Sequence, residues 1–392
     1  MSGISLWDAQ GQVREICPRP ETLVKNLINR RISNVVDAHN WSDLMRMGIM
    51  VVPAQYNDGG TLTLTSGSNQ VVGVGTNWPV NDAVNTVLAT PITDSPGYVE
   101  IQPGSLTGIN QGMYLLLDQG TPASTEVISV QSIRGNKFTA YCQYPHATGV
   151  TLQASSLAGL QLNTGTYVPT VQAVTSSTTL QTDMPYGGVP QTGITYYIFM
   201  LYAKPIPAGS TIPSSTARRM LYAYDAIAGN VVGIGKTSDW LAFQDPQLQQ
   251  GGNPEELISM PPDPGGCMQW AIWPIQTGAY GIGVVYEDGW PTLKQPNDML
   301  PPFLNSQIFI AGAVADCLRT RVIPNDRSKD PFNDPQGAMY WEKEFERLME
   351  NAIQSDQGRY LTDLQDYRLQ MNQFAPTWNW YVNHAAYQPG AY

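Results

Sequence analysis

Thr61-Leu62-Thr63-Leu64-Thr65, then Ser66-Gly67-Ser68-Asn69, then Gln70-Val71-Val72-Gly73-Val74: the fold is read from this stretch. Threonine and leucine alternate with period two, which puts the leucines on one face of a pleated strand and the threonines on the other. A Ser/Gly/Asn turn follows and a valine-rich run answers it, so the segment predicts a β-hairpin. Similar short runs recur at Tyr98–Ile101, Tyr114–Leu117, Glu126–Ile133 and Lys137–Tyr141, separated by Gly, Pro and Ser. Strands this short, joined by turns, predict a sandwich or a barrel. The apolar run Tyr196–Tyr202 closes the region.

On the N-terminal side, Pro20-Glu21-Thr22 opens a helix, because Pro suits the first turn and Glu21 suits its positive end. Leu23, Val24, Leu27, Ile28, Ile32, Val35 and Val36 recur at helical spacing, with Lys25, Asn29, Arg30 and Asn34 on the other face. A second short helix is expected from Trp41 to Met47, ended by Gly48, and then a strand from Ile49 to Val52. On the C-terminal side, residues 203–302 read as mixed, rich in Pro and Gly. Within them, buried strands at Trp270–Pro274 and Gly281–Tyr286 are joined by a turn near Gly278.

Pro301-Pro302 precedes a second helical region. Ile308, Ala311, Val314, Ala315 and Leu318 form one apolar face there, and the small residues around Gly312 permit tight packing between neighbours. Tyr340, Trp341, Phe345, Leu348, Met349, Ala352 and Ile353 form a further helix, continued by Leu361, Leu364, Tyr367 and Met371.

Together these pieces predict an α+β chain: a helical bundle from both chain ends with a large inserted antiparallel β region, sandwich or barrel-like. The expected segments are an N-terminal helical segment (1–58), a β domain (59–202), a mixed β and loop region (203–302), a C-terminal helical segment (303–373) and an aromatic tail (374–392). Residues 20–47 and 303–353 each have one apolar face and are expected to pack on each other. The tail crowds Phe374, Trp378, Trp380, Tyr381, Tyr387 and Tyr392 together without one Asp, Glu, Lys or Arg. Pro376 and Pro389 discourage helix, so it is expected to run extended. Its rings are the usual anchors of an interface, and docking on another subunit is the expectation; folding back on its own protomer is the other reading.

Of the 392 residues, 42% are hydrophobic and only 14% charged, against the usual quarter. Either much surface is buried against other chains, or the surface is built from Ser, Thr, Gln and Asn. A net charge of −11 argues against gripping nucleic acid, which needs clustered Lys and Arg, yet it suits a wall past which DNA slides. Cys17, Cys142, Cys267 and Cys317 stand far apart, with no metal-ligand spacing, and read as reduced thiols. The start lacks the basic and apolar runs of a signal peptide, and no stretch approaches a membrane span. The chain is therefore expected to be made and used in the cytosol, or in a particle assembled there.

No catalytic motif emerges. Residues Ala228–Thr237 end in Gly-Lys-Thr, but Asn230 stands where the first Gly of a phosphate loop belongs, and no helical pattern follows. A glycine-rich turn between strands is the expectation there. His39, His146 and His384 stand apart, and Asp225, Asp239, Asp245 and Glu255 cluster only loosely. The reading is a non-enzyme with no cofactor and no metal.

Several stretches nevertheless resemble a known family in their order. These are Ile28-Asn29-Arg30 through Val36-Asp37 to Trp41, Val51-Val52-Pro53-Ala54, Gly60-Thr61-Leu62-Thr63 and Val72 through Trp78. Tyr196 through Phe199, Asp239-Trp240-Leu241, Gly252-Asn253-Pro254, Trp273-Pro274 and Ile310 through Leu318 continue the series. The set resembles the head–tail connector (adaptor) proteins of tailed bacteriophages, akin to the tail tubular protein of short-tailed phages. The resemblance implies a virion protein assembled in the host cytoplasm, in a ring expected as a dodecamer. Such a ring docks under the portal, meets tail or nozzle proteins, and continues the channel through which DNA passes at ejection. It brings no catalytic residues. A β-rich tail or baseplate protein with a receptor-binding role is the alternative.

Overall fold

The computed structural model describes residues 3–121, 123–225, 229–236, 253–275, 278–320, 332–357 and 359. Residues up to Met45 together with those from Glu287 to Arg359 make one compact unit, and Arg46–Tyr286 make a second.

The first unit is helical. Helix α1 (Leu6–Ile16) is capped by Ser5, whose hydroxyl accepts from the Asp8 backbone N–H at 3.1 Å. Helix α2 (Glu21–Ala38) follows Pro20, helix α3 (Ser306–Arg319) is capped by Asn305, and helix α4 covers 335–357. Leu6, Ala9 and Val13 of α1, Val24, Ile28 and Val35 of α2, and Ile308, Phe309 and Val314 of α3 share one core. Burying each such side chain contributes about 1.5–3 kcal/mol. Helix α2 packs along α3, so the expected contact between residues 20–47 and 303–353 is present. Helix α1 was not foreseen, although Ser5-Leu6-Trp7-Asp8 carries a capping signature.

A buried ion cluster sits inside this core. Arg31 on α2 is 6% exposed, and its guanidinium grips Asp316 on α3 at 2.7 and 2.8 Å and Glu342 on α4 at 2.7 and 3.1 Å. It also lies over the Phe345 ring, 4.7 Å from its centre. Burial works against the charge, but the two carboxylates outweigh it and hold the guanidinium's pKa above its ordinary value. The fork reaches Asp316 because Gly312 is bare: a Cβ there would stand 2.9 Å from Arg31 Cδ. Nearby, Asp356 accepts from the backbone N–H and hydroxyl of Ser42, and Trp41 donates its indole N–H to the Val35 carbonyl at 3.0 Å.

The second unit is built of strands. Its largest sheet has eight, in the order 202–203, 269–273, 256–260, 230–235, 217–225, 280–288, 45–52 and 206–207. Met50, Ala223, Leu257, Trp270, Ile272 and Val284 make the core on that sheet. A five-stranded sheet runs 171–176, 179–182, 70–74, 61–64 and 191–194. The deciding hairpin lies within it, with Thr61 opposite Val74 and Leu64 opposite Val71. Leu62, Leu64 and Val71 are buried while Val72 and Val74 face solvent, as period two requires. A four-stranded sheet (84–87, 151–154, 114–117, 126–129) and a three-stranded sheet (97–101, 137–142, 132–134) share a smaller core of Leu115, Leu117, Ile128, Phe138 and Leu152.

The fold class expected from the sequence is therefore corrected. The chain is mostly β: the described residues hold twenty-two strands in five sheets, and the helices are the minority. A helical bundle framing a β insertion does not describe it. Strands continue well past residue 202, because Pro and Gly in 203–302 mark only turns between apolar runs such as Ala217–Asp225 and Glu256–Met260. Nor is the pairing antiparallel throughout, since Gly233–Gly235 run parallel to Glu256–Ile258. The helix expected over Trp41–Met47 is a short 3-10 turn, Ser42–Leu44, followed by the strand Met45–Val52. Met45, Met50 and Val52 are buried there, and sheet pairing overrides local helical spacing. The strands 269–273 and 280–288 are present and buried, but three others lie between them in the sheet.

Removing one partner of a buried ion pair leaves the other uncompensated and costs about 3–5 kcal/mol. Arg31→Ala is expected to lose that much in chemical denaturation followed by tryptophan fluorescence. Arg31→Lys, which keeps the charge without the planar fork, should fall between the two. A loss for Arg31→Ala within about 0.5 kcal/mol, as for an ordinary surface substitution, contradicts the clamp.

Candidate functional site

The chemistry-bearing residues of this chain are largely taken up by structure. The His146 side chain is fully buried, with Nε2 2.8 Å from Glu126 Oε1 and Nδ1 3.4 Å from Asp118 Oδ2. Glu126 also accepts from the backbone N–H groups of Gln143 and Tyr144, and Asp118 accepts from the Ser124 hydroxyl at 2.7 Å. Asp118 has φ +58°, a left-handed conformation uncommon for a non-glycine residue, so the loop is shaped around this contact. The trio staples the loop after strand 137–142 to the loop before strand 126–129. Burial pushes the Asp118 carboxyl up, but hydrogen bonds from Ser124, Thr121 and His146 outweigh it and hold it below the usual carboxylate value.

A second network centres on Asp58. It accepts from Asn77 N–H at 2.7 Å, Tyr196 hydroxyl at 2.8 Å and Gly60 N–H at 3.1 Å, and buried Trp78 donates its indole N–H to the Tyr196 oxygen at 2.6 Å. Burial again opposes the charge, and the Asn77 and Tyr196 hydrogen bonds hold Asp58 below its ordinary value. Burial and the Asp58 charge push the Tyr56 hydroxyl up to about 12.

Among the described residues, no group of three or more His, Cys, Asp or Glu is arranged to hold a metal ion. Asp225 is fully buried and accepts from the Tyr280 hydroxyl, while Asp239 and Asp245 lie outside the described residues. His39 rests edge-on against Trp41 and faces Asp356 at 3.2 Å. Residues 230–235, within the near-phosphate loop, are a strand flanked on both sides rather than the expected turn. Their backbone belongs to the sheet ladder: Gly233 N–H donates to the Glu255 carbonyl at 2.8 Å.

Ile308, Ala311, Val314, Ala315 and Leu318 are buried in the helical core of the protomer itself. The small side of α3 thus receives Arg31, which the sequence reading had instead assigned to contact between neighbours. The docking residues Phe374, Trp378, Trp380, Tyr381, Tyr387 and Tyr392 lie outside the described residues, as do Leu361, Leu364, Tyr367 and Met371.

What the described surface does offer is exposed apolar area. On the helical unit, Trp7 is 56%, Met339 59% and Tyr340 66% exposed. On the three-stranded sheet, Tyr98 and Tyr141 pair edge-to-face across the strands and stand in solvent. No described helix is long and apolar enough to cross a membrane.

The strand unit also holds a cleft of about 640 Å³, between the loop at 106–113 and the chain at 200–206, 212–215 and 263–269. Met113, Tyr114, Met200, Tyr202, Leu160 and Ile206 supply much of its wall. Its one cation, Lys204, is paired with Asp263 and donates to the Gln111 carbonyl at 3.2 Å. Gln111 in turn donates its amide to the Gly265 carbonyl at 2.8 Å. Gly265 presses on Gly112, and a Cβ on Gly265 would stand 2.7 Å from the Gly112 nitrogen. Burial pushes the Tyr114 and Tyr202 hydroxyls above their ordinary values, which keeps both neutral. Neither the protein-family models nor the curated protein sequences give a match to this chain.

Both lowered carboxylates make the fold acid-sensitive in a defined direction. A group whose folded pKa is depressed stabilises fully above its unfolded value, about 4, and loses that contribution as pH falls through the folded value. Asp118→Asn is therefore expected to lower the melting temperature at pH 7 and to flatten its fall below about pH 4. A variant whose melting temperature parallels that of the unaltered protein across this range contradicts the assignment.

Proposed function

We propose that this chain is a structural virion protein of a tailed bacteriophage: a head–tail connector that forms a ring between the capsid portal and the tail. The ring continues the DNA channel, meets the portal on one side and tail or nozzle proteins on the other, and touches DNA only in transit. It is assembled in the host cytoplasm and carries out no catalysis. The observation that carries this reading is the exposed apolar surface of the helical unit, where Trp7, Met339 and Tyr340 are each more than half in water. Large apolar side chains left in water, in a chain whose sequence also ends in an uncharged aromatic stretch, suit a subunit that buries them against copies. The resemblance in the order of short motifs supports the same reading. A net charge of −11 suits a channel that DNA must pass without being held.

The receptor-binding alternative has one observation in its favour, the solvent-facing pair Tyr98 and Tyr141. Tyrosine is amphipathic and frequent in recognition surfaces. A receptor-binding protein of this kind would assemble as a trimer.

Deleting residues 374–392 tests the connector reading. The truncated protein is expected to keep its far-ultraviolet spectrum and melting transition while failing to join portal-bearing heads in an attachment assay. Loss of the folded spectrum, or attachment equal to that of the intact chain, contradicts a docking role for the tail.

A further inference from the structure

We infer that the cleft of the strand unit is the acceptor for the aromatic tail, residues 374–392, of a neighbouring copy. The inference rests on the ring reading above and adds the surface on which the tail lands.

Charge is the first argument. Among the described residues, Lys204 and Asp263 are the only charged side chains of the wall, and they neutralise each other. An ionic ligand would find no free counter-charge there. The tail has no Asp, Glu, Lys or Arg, so placing it in the cleft strips water from few charges.

The second argument is the character of the wall. Met113 and Met200 are flexible, polarisable side chains that mould to rings and make favourable sulfur–aromatic contacts. Tyr114 and Tyr202 add aromatic area. The amides present are already engaged: Gln111 donates to the Gly265 carbonyl and Gln269 to the Pro261 carbonyl. Ser155, Ser156, Thr170, Ser214 and Ser215 add hydroxyls to the wall, which suit the hydroxyl and indole N–H groups of Tyr and Trp as well as their rings.

Size agrees. About 640 Å³ corresponds to roughly twenty waters, whose displacement by rings burying about 150–250 Å² each is favourable. Pro376 and Pro389 disfavour helix in the sequence of the tail, which suits a segment that threads a cleft.

The choice of a neighbour's tail follows from symmetry. A closed ring is held by a heterologous contact, in which each copy offers one surface and receives a different one. The tail and the cleft are such a pair, two different parts of one chain.

The test uses the full-length protein with one cysteine at the cleft rim and one in the tail, Ser215→Cys with Asn379→Cys. Ser215 is exposed and nearly isosteric with cysteine, and Asn379 lies between Trp378 and Trp380 without removing a ring. The native Cys17, Cys142, Cys267 and Cys317 are all buried, so they leave the background low. Ile212→Cys with Asn379→Cys repeats the test at a second rim position, and Ser66→Cys with Asn379→Cys serves as the control away from the cleft.

After mild oxidation, non-reducing electrophoresis should show the monomer band replaced by covalent dimers and larger species for both rim pairs, with the control pair unchanged. Monomers closed internally would place the tail in its own cleft and overturn the inference. No link in a sample whose native mass is that of a ring would overturn it while leaving the ring reading intact. No link in a sample whose native mass is that of a monomer would overturn both.

Discussion

A guanidinium deprived of water must be met by carboxylates, and in this chain those carboxylates come from the far end of the sequence. Arg31 stands on the second helix, and Asp316 and Glu342 stand about three hundred residues later. Removing the charge from solvent is unfavourable by itself, so the pair adds little net stability over an apolar replacement. What it does impose is arrangement. The relative placement of helices α2, α3 and α4 gives a planar fork a carboxylate on each of two sides, each accepting through both of its oxygens. The backbone of Gly312 and the ring of Phe345 complete the enclosure.

Residues 3–45 and 287–359 belong to one unit, and residues 46–286 form a unit of their own. Strands 45–52 and 280–288, which begin and end that excursion, are neighbours in the eight-stranded sheet. Beyond them the strand unit relies on hydroxyl and amide side chains to satisfy its surface, which explains how a chain with 14% charged residues remains well formed. Some of its ionisable groups are drawn inward as staples, at His146 with Asp118 and Glu126, at Asp58 with Tyr196, and at Lys204 with Asp263. The proposed function draws on the exposed rings and methionines, the neutral cleft and, in the sequence, an uncharged aromatic tail.

Local patterns carried the hairpin at 61–74, the strands at 97–101, 114–117 and 137–142, and helices α2 and α3 into the structure, because each is set by its own periodicity. The extent of the β structure was not legible in the same way. Residues 217–225 and 256–260 are short apolar runs among prolines and glycines, and only their sheet partners make them strands. Gly-Ile-Gly-Lys looked like a loop for the same reason, since its place between two strands is a long-range fact. The Arg31 clamp was hidden because Arg31 falls at a position where helical spacing alone would accept either a solvated or an inward side chain. The small residues around Gly312 signalled a close approach, but not that the approaching group is charged. His146 gave no signal at all, its partners being twenty and twenty-eight residues away on separate loops.

The proposal on which the functional reading turns is that this chain works as a closed ring of copies. The most direct measurement is the native mass of the purified full-length protein, taken across a range of concentrations. A single closed multimer, expected as a dodecamer, is predicted once the concentration exceeds that needed for assembly. A trimer, or a monomer that persists at every concentration, would contradict the account.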